Sequence, residues 1–160
     1  MADPTPHAAF LQDIGPGARR RGSSRTWVYV PYDQLSHEIG PLASLPPARC
    51  GIVLVESAAQ ARRRRYHKQK LAFLLANQRH FAREQARRGV AIEYRLTDGD
   101  AAEGLTPVIV RRGPLTVMRP AERELRVELA GLLADGSLRE VTHEGWLTSR
   151  ADFETGAGAN

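Results

Sequence analysis

Apolar positions follow two rhythms along this chain, one with the period of a strand and one with the period of a helix, and the two trade places several times. Thr26 to Val30 is a β-branched and aromatic run ended by Pro31, which cannot donate to a strand ladder. Ser36 is placed to cap a short helix from His37 onward, and Pro46-Pro47 end that connection. Gly51 to Val55 is continuously apolar, as a strand covered on both faces requires. From about Ala58 or Tyr66 to Arg88 the period turns helical: Leu71, Leu74, Leu75, Gln78 and Ala82 share one stripe, Glu84 and Arg88 make an i,i+4 pair, and Gly89 stands at C′. Val90 to Leu96 then alternates, Ile92, Tyr94 and Leu96 against Ala91, Glu93 and Arg95, which predicts a half-buried strand near a sheet edge.

Asp98 to Pro114 leaves two readings open. Thr106-Pro107 fits an N-cap and N1 pair opening a short helix, and Val108-Ile109-Val110 fits a strand equally well. Leu115 to Met118 reads as a strand. A helix from Pro120 carries Leu125, Leu129, Leu132 and Leu133 and ends at Asp135-Gly136, and Leu138 to Thr142 makes a last strand. Strands alternating with helices predict an α/β fold, a Rossmann-like three-layer domain with a mostly parallel sheet of about five strands. Residues 1–25, with Pro4, Pro6, Pro16, three glycines and Arg19-Arg20-Arg21, read as a disordered basic tail. The domain is expected over 26–153, and 154–160 as a disordered tail or the start of a linker.

Composition narrows the class. A chain of 160 residues with 42% hydrophobic content is one domain that buries about two-thirds of its unfolded surface. Its lone cysteine, Cys50, rules out an internal disulfide and a cysteine-ligated zinc or iron–sulfur site. No apolar run approaches the roughly 20 residues of a membrane span, and the N-terminus has no signal-peptide pattern, so the expected location is cytoplasmic and no membrane partner is expected. The net charge of +5 raises nucleic acid as a partner. Of the 23 basic residues, however, only Lys68 and Lys70 are lysine and the remaining 21 are arginine, a compositional bias that places arginine anywhere. Arg62, Arg63, Arg64 and Arg65 therefore read first as a solvated helix start or loop, and second as a nucleic-acid contact.

The chemical motifs are mostly absences. Neither Gly-x-Gly-x-x-Gly after the first strand nor a P-loop is present, which argues against an ordinary NAD enzyme or NTPase. His7, His37, His67, His80 and His143 never fall at metal-ligand spacing, so no metal is expected. Ser36, Ser57 and Cys50 are nucleophiles by type only. What stands out is the polar set at the expected carboxyl ends of strands, where open parallel sheets hold ligands. Asp33, Glu56 and Glu122 would converge there as acceptors for a hydroxyl-rich or heterocyclic ligand, although Asp33 and Glu122 also suit helix N-termini.

Four stretches in order carry a resemblance: Tyr32-Asp33-Gln34-Leu35-Ser36; Val53-Leu54-Val55-Glu56; His67-Lys68-Gln69-Lys70-Leu71-Ala72-Phe73 with Arg79-His80-Phe81-Ala82; and Arg119-Pro120-Ala121-Glu122 with Leu125-Arg126. Together they resemble the N-terminal antenna domain of the deoxyribodipyrimidine photolyase-related proteins, the prokaryotic iron–sulfur cryptochromes and (6-4) photolyases, over about Thr26 to Phe153. The resemblance implies a light-harvesting domain that binds 6,7-dimethyl-8-ribityllumazine or another antenna chromophore. It also implies a helical domain, absent from this sequence, holding FAD, an iron–sulfur cluster and the DNA lesion site. This chain alone is then not catalytic; a full-length parent would be a DNA photolyase, a carbon–carbon lyase, and would meet DNA only as that parent. Three positions depart from the family pattern: Tyr32 stands where glycine is usual, Gln60 at an acidic position, and Arg63 at an aromatic one.

The ligand set expected on this basis is Asp33, Gln34, Glu56, Gln60, His67 and Glu122 as hydrogen-bonding partners, with Leu71 and Leu74 as apolar walls. As ligand contacts, Asp33 and Glu56 should be replaceable by alanine without unfolding. His67 reads equally as a helix-start residue. Two other classes stay open. One is a non-enzymatic nucleic-acid-binding module using Arg19 to Arg21 and Arg62 to Arg65. The other is a degenerate domain without a ligand, whose uncovered face would favour a dimer.

Overall fold

The structure, a computed structural model, describes residues 6–15, 25–63, 67–145, 148 and 150–157. Its centre is a five-stranded, wholly parallel sheet in the order β3-β2-β1-β4-β5, formed by β1 (Thr26–Tyr29), β2 (Cys50–Ser57), β3 (Ala91–Thr97), β4 (Leu115–Met118) and β5 (Leu138–Val141). The alternation of strand and helix patterns thus produced the expected three-layer α/β fold. Val28 of β1 lies opposite Ile52 on one side and Thr116 on the other, so the first strand is central. From β1 the chain winds outward through β2 to β3, then crosses back to β4 and β5. The winding reverses between β1 and β4, which makes their carboxyl ends the topological switch point.

The two sheet faces follow the strand alternation. Val53, Val55, Trp27 and Tyr29 face α5 (Ala101–Arg112) and α6 (Arg123–Ala134), meeting Leu105, Val108, Leu125 and Leu129 in one core. Ile52, Leu54, Val28 and Ile92 face α4 (Lys68–Arg87) and a first helix, α1 (Pro6–Ile14), meeting Phe81, Ala82, Phe10 and Ile14 in the other. Helix α5 lies close on the sheet because Gly104 has no side chain: a Cβ there would come within 2.6 Å of Val55 Cγ1.

Several expectations are corrected. The first 25 residues are not all tail, since α1 buries Phe10 and Ile14 and sets the Phe10 ring edge-on to Tyr94 at 4.7 Å between centroids. Nine residues with two well-placed apolar side chains form too short a period to stand out among prolines and glycines. Residues 154–157 belong to an exposed final helix, α7 (Arg150–Ala157). Ser36 does not start a helix; its Oγ accepts from Glu38 N at 3.2 Å in a local turn, and α2 (Pro41–Ser44) begins after Gly40, whose φ of 64° favours glycine, with Pro41 at N1. Of the two starts offered for the long helix, the one near Tyr66 is the right one: α4 begins at Lys68 after its N-cap His67, α3 (Ala58–Arg63) is a separate helix, and residues 64–66 lie outside the described ones. Of the two readings for Asp98 to Pro114, the helix is the right one, but Asp100 is its N-cap, accepting from Glu103 N at 2.9 Å, and Pro107 lies inside. Pro107 costs the bond to the Glu103 carbonyl, and the complete burial of Leu105 and Val108 on either side outweighs it. No described helix is long and apolar enough to cross a membrane.

Candidate functional site

A cleft of about 450 Å³ opens at the carboxyl ends of β2 and β3, between α3 and the first half of α4. Its origin lies in how α4 meets the sheet. The second half of the helix is seated, with Gln78, Phe81, Ala82 and Gln85 buried, while Leu71, Leu74 and Leu75 in the first half stand only partly covered. Together with Leu96, which is 49% exposed at the end of the edge strand, they form an apolar wall facing empty space. The polar part of the lining comes from Tyr32, Glu56, Ser57, Gln60, Gln78, Thr97 and Asp98.

Glu56 is the most constrained of these. Arg79 grips it side-on, Nε to Oε1 at 2.7 Å and Nη2 to Oε2 at 2.9 Å, and the Tyr94 hydroxyl donates to Oε1. The hydrogen bonds that Arg79 donates to Glu56 hold its guanidinium firmly protonated, and burial followed by the Glu56 contact pushes the Tyr94 phenol well above its ordinary value. Phe10 supports this clamp from α1, with Arg79 5.7 Å and Arg83 5.4 Å from its ring centroid. Both carboxylate oxygens of Glu56 are therefore already engaged by the protein.

A second polar group sits at the switch point. Tyr32 OH donates to Glu122 Oε2 at 3.0 Å, joining the exits of β1 and β4, and Gln60 Nε2 reaches the same oxygen at 3.4 Å from α3. Asp33 stands beside this bridge with an exposed edge. Loss of water around its carboxyl, and then the Glu122 charge, raise its pKa above the usual carboxylate range, while its own backbone hydrogen bond and His143 pull it down. Tyr32 thus lines the cleft and ties the β1 exit to the β4 exit through its hydroxyl.

The expected ligand residues fall into three groups. Glu56, Gln60, Leu71 and Leu74 line the cleft. Asp33 and Glu122 lie at the neighbouring switch point, linked to the cleft through Gln60. Gln34 and His67 belong to neither: Gln34 is buried and donates to the Arg119 carbonyl at 3.0 Å, fastening the β1 loop to the β4 loop, and His67 is the exposed N-cap of α4, accepting from Gln69 N at 3.3 Å. Sequence reasoning passed over Gln78, Leu75 and Leu96 as site residues. Leu75 and Gln78 were visible on the helical stripe, where spacing alone assigns them to the core. Arg62 pairs with Asp98 at 3.5 Å and Arg63 with Glu128 of α6, so two of the seven arginines considered for nucleic acid pair with carboxylates of the protein itself; the other five, Arg19 to Arg21, Arg64 and Arg65, lie outside the described residues.

Comparison with known proteins bears on the same stretch. The chain is 34% identical over 106 residues to a (6-4) photolyase of Agrobacterium fabrum (strain C58 / ATCC 33970), a match covering 62% of this chain and 21% of that protein. It thus spans about a fifth of that relative's length. The family model for deoxyribodipyrimidine photo-lyase-related proteins matches residues 28–160, from the first strand to the end of the chain and including every residue that lines the cleft. The chain belongs to the deoxyribodipyrimidine photo-lyase-related protein family.

Proposed function

We propose that this domain is an antenna module that holds a ribityllumazine- or flavin-like chromophore in the cleft between α3, α4 and the ends of β2 and β3. One observation carries the reading: a helix seated through its second half leaves three leucines of its first half only partly covered, against a rim of amide and carboxylate groups, at the sheet end where parallel α/β folds bind ligands. A volume of about 450 Å³ falls in the range of roughly 300–1,000 Å³ typical of small-molecule sites. The flat apolar wall suits the face of a fused heterocycle, and Gln60 at the rim suits a hydroxylated side chain. Family membership supports the same reading. DNA photorepair belongs in this proposal to a longer parent protein with a flavin-binding helical domain.

The test is retention of added 6,7-dimethyl-8-ribityllumazine through gel filtration, read by its absorption above the aromatic region. Wild-type protein should keep the band, and Leu74→Arg, which places a charged side chain in the cleft from a partly exposed helix position, should lose it while retaining its circular dichroism. A colourless wild-type protein at every ligand concentration tried would overturn the proposal.

A further inference from the structure

Gln78 is 3% exposed and lies at the cleft, an amide in a wall otherwise made of leucine. Its placement has a backbone cause. Val53 O accepts from Val30 N at 3.0 Å, the last such bond before Pro31 turns the chain away from the sheet. Two residues on, Val55 O points the same way along β2, toward the side β1 has vacated, and Gln78 Nε2 supplies the missing donor at 3.0 Å. That bond fixes which way the amide faces. The nitrogen is committed to the strand, and the carbonyl oxygen is the half left for the cleft.

The neighbouring polar groups are spent. Glu56 is engaged by Arg79 and Tyr94, and Ser57 Oγ both donates to Gly99 O at 2.6 Å and accepts from Gln60 N at 3.0 Å. Thr97 Oγ1 accepts from Gly99 N at 3.1 Å. Gln60 sits at the wetter rim, where a hydrogen bond competes with solvent. We infer that Gln78 Oε1 is the group that reads the ligand, accepting a hydrogen bond from a ring N–H of an uncharged heterocycle laid against Leu71, Leu74 and Leu75. A deeply placed, pre-oriented acceptor in an apolar wall discriminates strongly, because a ligand without the N–H leaves it buried and unpaired. This inference rests on the chromophore reading above and specifies the chemistry it requires: an imide or lactam N–H, such as N3–H of a lumazine or isoalloxazine ring.

The experiment compares 6,7-dimethyl-8-ribityllumazine with its N3-methyl derivative, titrated by fluorescence into wild-type protein and Gln78→Met. Wild type should bind the methylated ligand about tenfold more weakly, and Gln78→Met should bind the two within about twofold. Because loss of the bond to Val55 O can also unsettle the fold, a second measurement uses wild type alone: the N3 proton of 15N-labelled ligand should exchange with water much more slowly when bound. Equal binding of both ligands by wild type, or an N3 proton that exchanges as in free ligand, overturns the role of Gln78 and leaves the chromophore reading standing. Discrimination that persists in Gln78→Met assigns the effect to steric exclusion of the methyl group and also overturns it. Failure of wild type to bind either ligand overturns both.

Discussion

Replacing Glu56 by alanine removes the centre of a clamp that ties together β2, β3 and α4. The Glu56 side chain is 9% exposed and that of Arg79 33%, so the pair is buried on the carboxylate side and partly wet on the guanidinium side. Truncating one member of a fully buried pair costs about 3–5 kcal/mol, and exposed pairs are worth about 0–1 kcal/mol. Arg79 regains water where it is exposed, while the Tyr94 hydroxyl loses its acceptor in a largely buried setting. The expected cost is therefore intermediate, about 2–3 kcal/mol. For a domain of this size that corresponds to a fall in Tm of roughly 4–12 °C. Urea denaturation of wild type, Glu56→Ala, Arg79→Ala and the double variant measures it, with an expected coupling of about 1–2 kcal/mol in the cycle. A loss under about 0.5 kcal/mol for Glu56→Ala, with no coupling, would show that the clamp behaves as a surface ion pair and would refute the reasoning. The sequence alone suggested that alanine here would spare the fold; the geometry gives Glu56 a structural role whose loss costs stability, which makes Leu74→Arg the cleaner probe of the cleft.

Other perturbations test separate parts of the account. Phe10→Ala should destabilise by about 3–4 kcal/mol in urea denaturation, because the ring is 2% exposed and packs on Tyr94 in the core; a neutral result would detach α1 from the folded domain. Asp33→Asn should raise stability at neutral pH. A carboxyl whose folded pKa exceeds its unfolded one holds more protons in the folded state across that window, so stability falls as pH rises through it and stays lower above; the variant should lack that fall, and an unchanged pH profile between the two proteins would contradict the direction. The Cys50 thiol, pushed up to about 11 by burial, is about one part in ten thousand thiolate at pH 7 and should react with a thiol reagent only as fast as the protein opens; rapid labelling under native conditions would contradict its placement.

Where one side chain pattern decided an element, the sequence was sufficient. The run from Gly51 to Val55 and the alternation ending at Leu96 placed a doubly covered strand beside an edge strand, and leucine spacing placed α4 and α6. Elements set by tertiary contacts were harder. Helix α1 depends on Phe10 meeting Tyr94, a partner more than eighty residues away that no local window contains. Pro107 inside α5 breaks the local rule and is overridden by Leu105 and Val108 in the core. The site divides in the same way. That polar residues after β1, β2 and β4 gather at one end of the sheet follows from parallel topology and was legible. That Glu56 is consumed by Arg79 and Tyr94, that Tyr32 and Glu122 join at the switch point, and that Gln78 is turned by Val55 O all depend on distances between elements. Gln78 in particular carried its signal in plain view, a glutamine on a leucine stripe, but spacing cannot tell a core position from the wall of a cleft.

The most direct test of the central claim is a crystal structure of the protein with 6,7-dimethyl-8-ribityllumazine. The ring should lie against Leu71, Leu74, Leu75 and Leu96, edge-on to Gln78, with Tyr32 and Glu122 still joined at the switch point. A ring lodged instead between β1 and β4, with the Tyr32–Glu122 bond broken, or a cleft empty at saturating ligand, would contradict it.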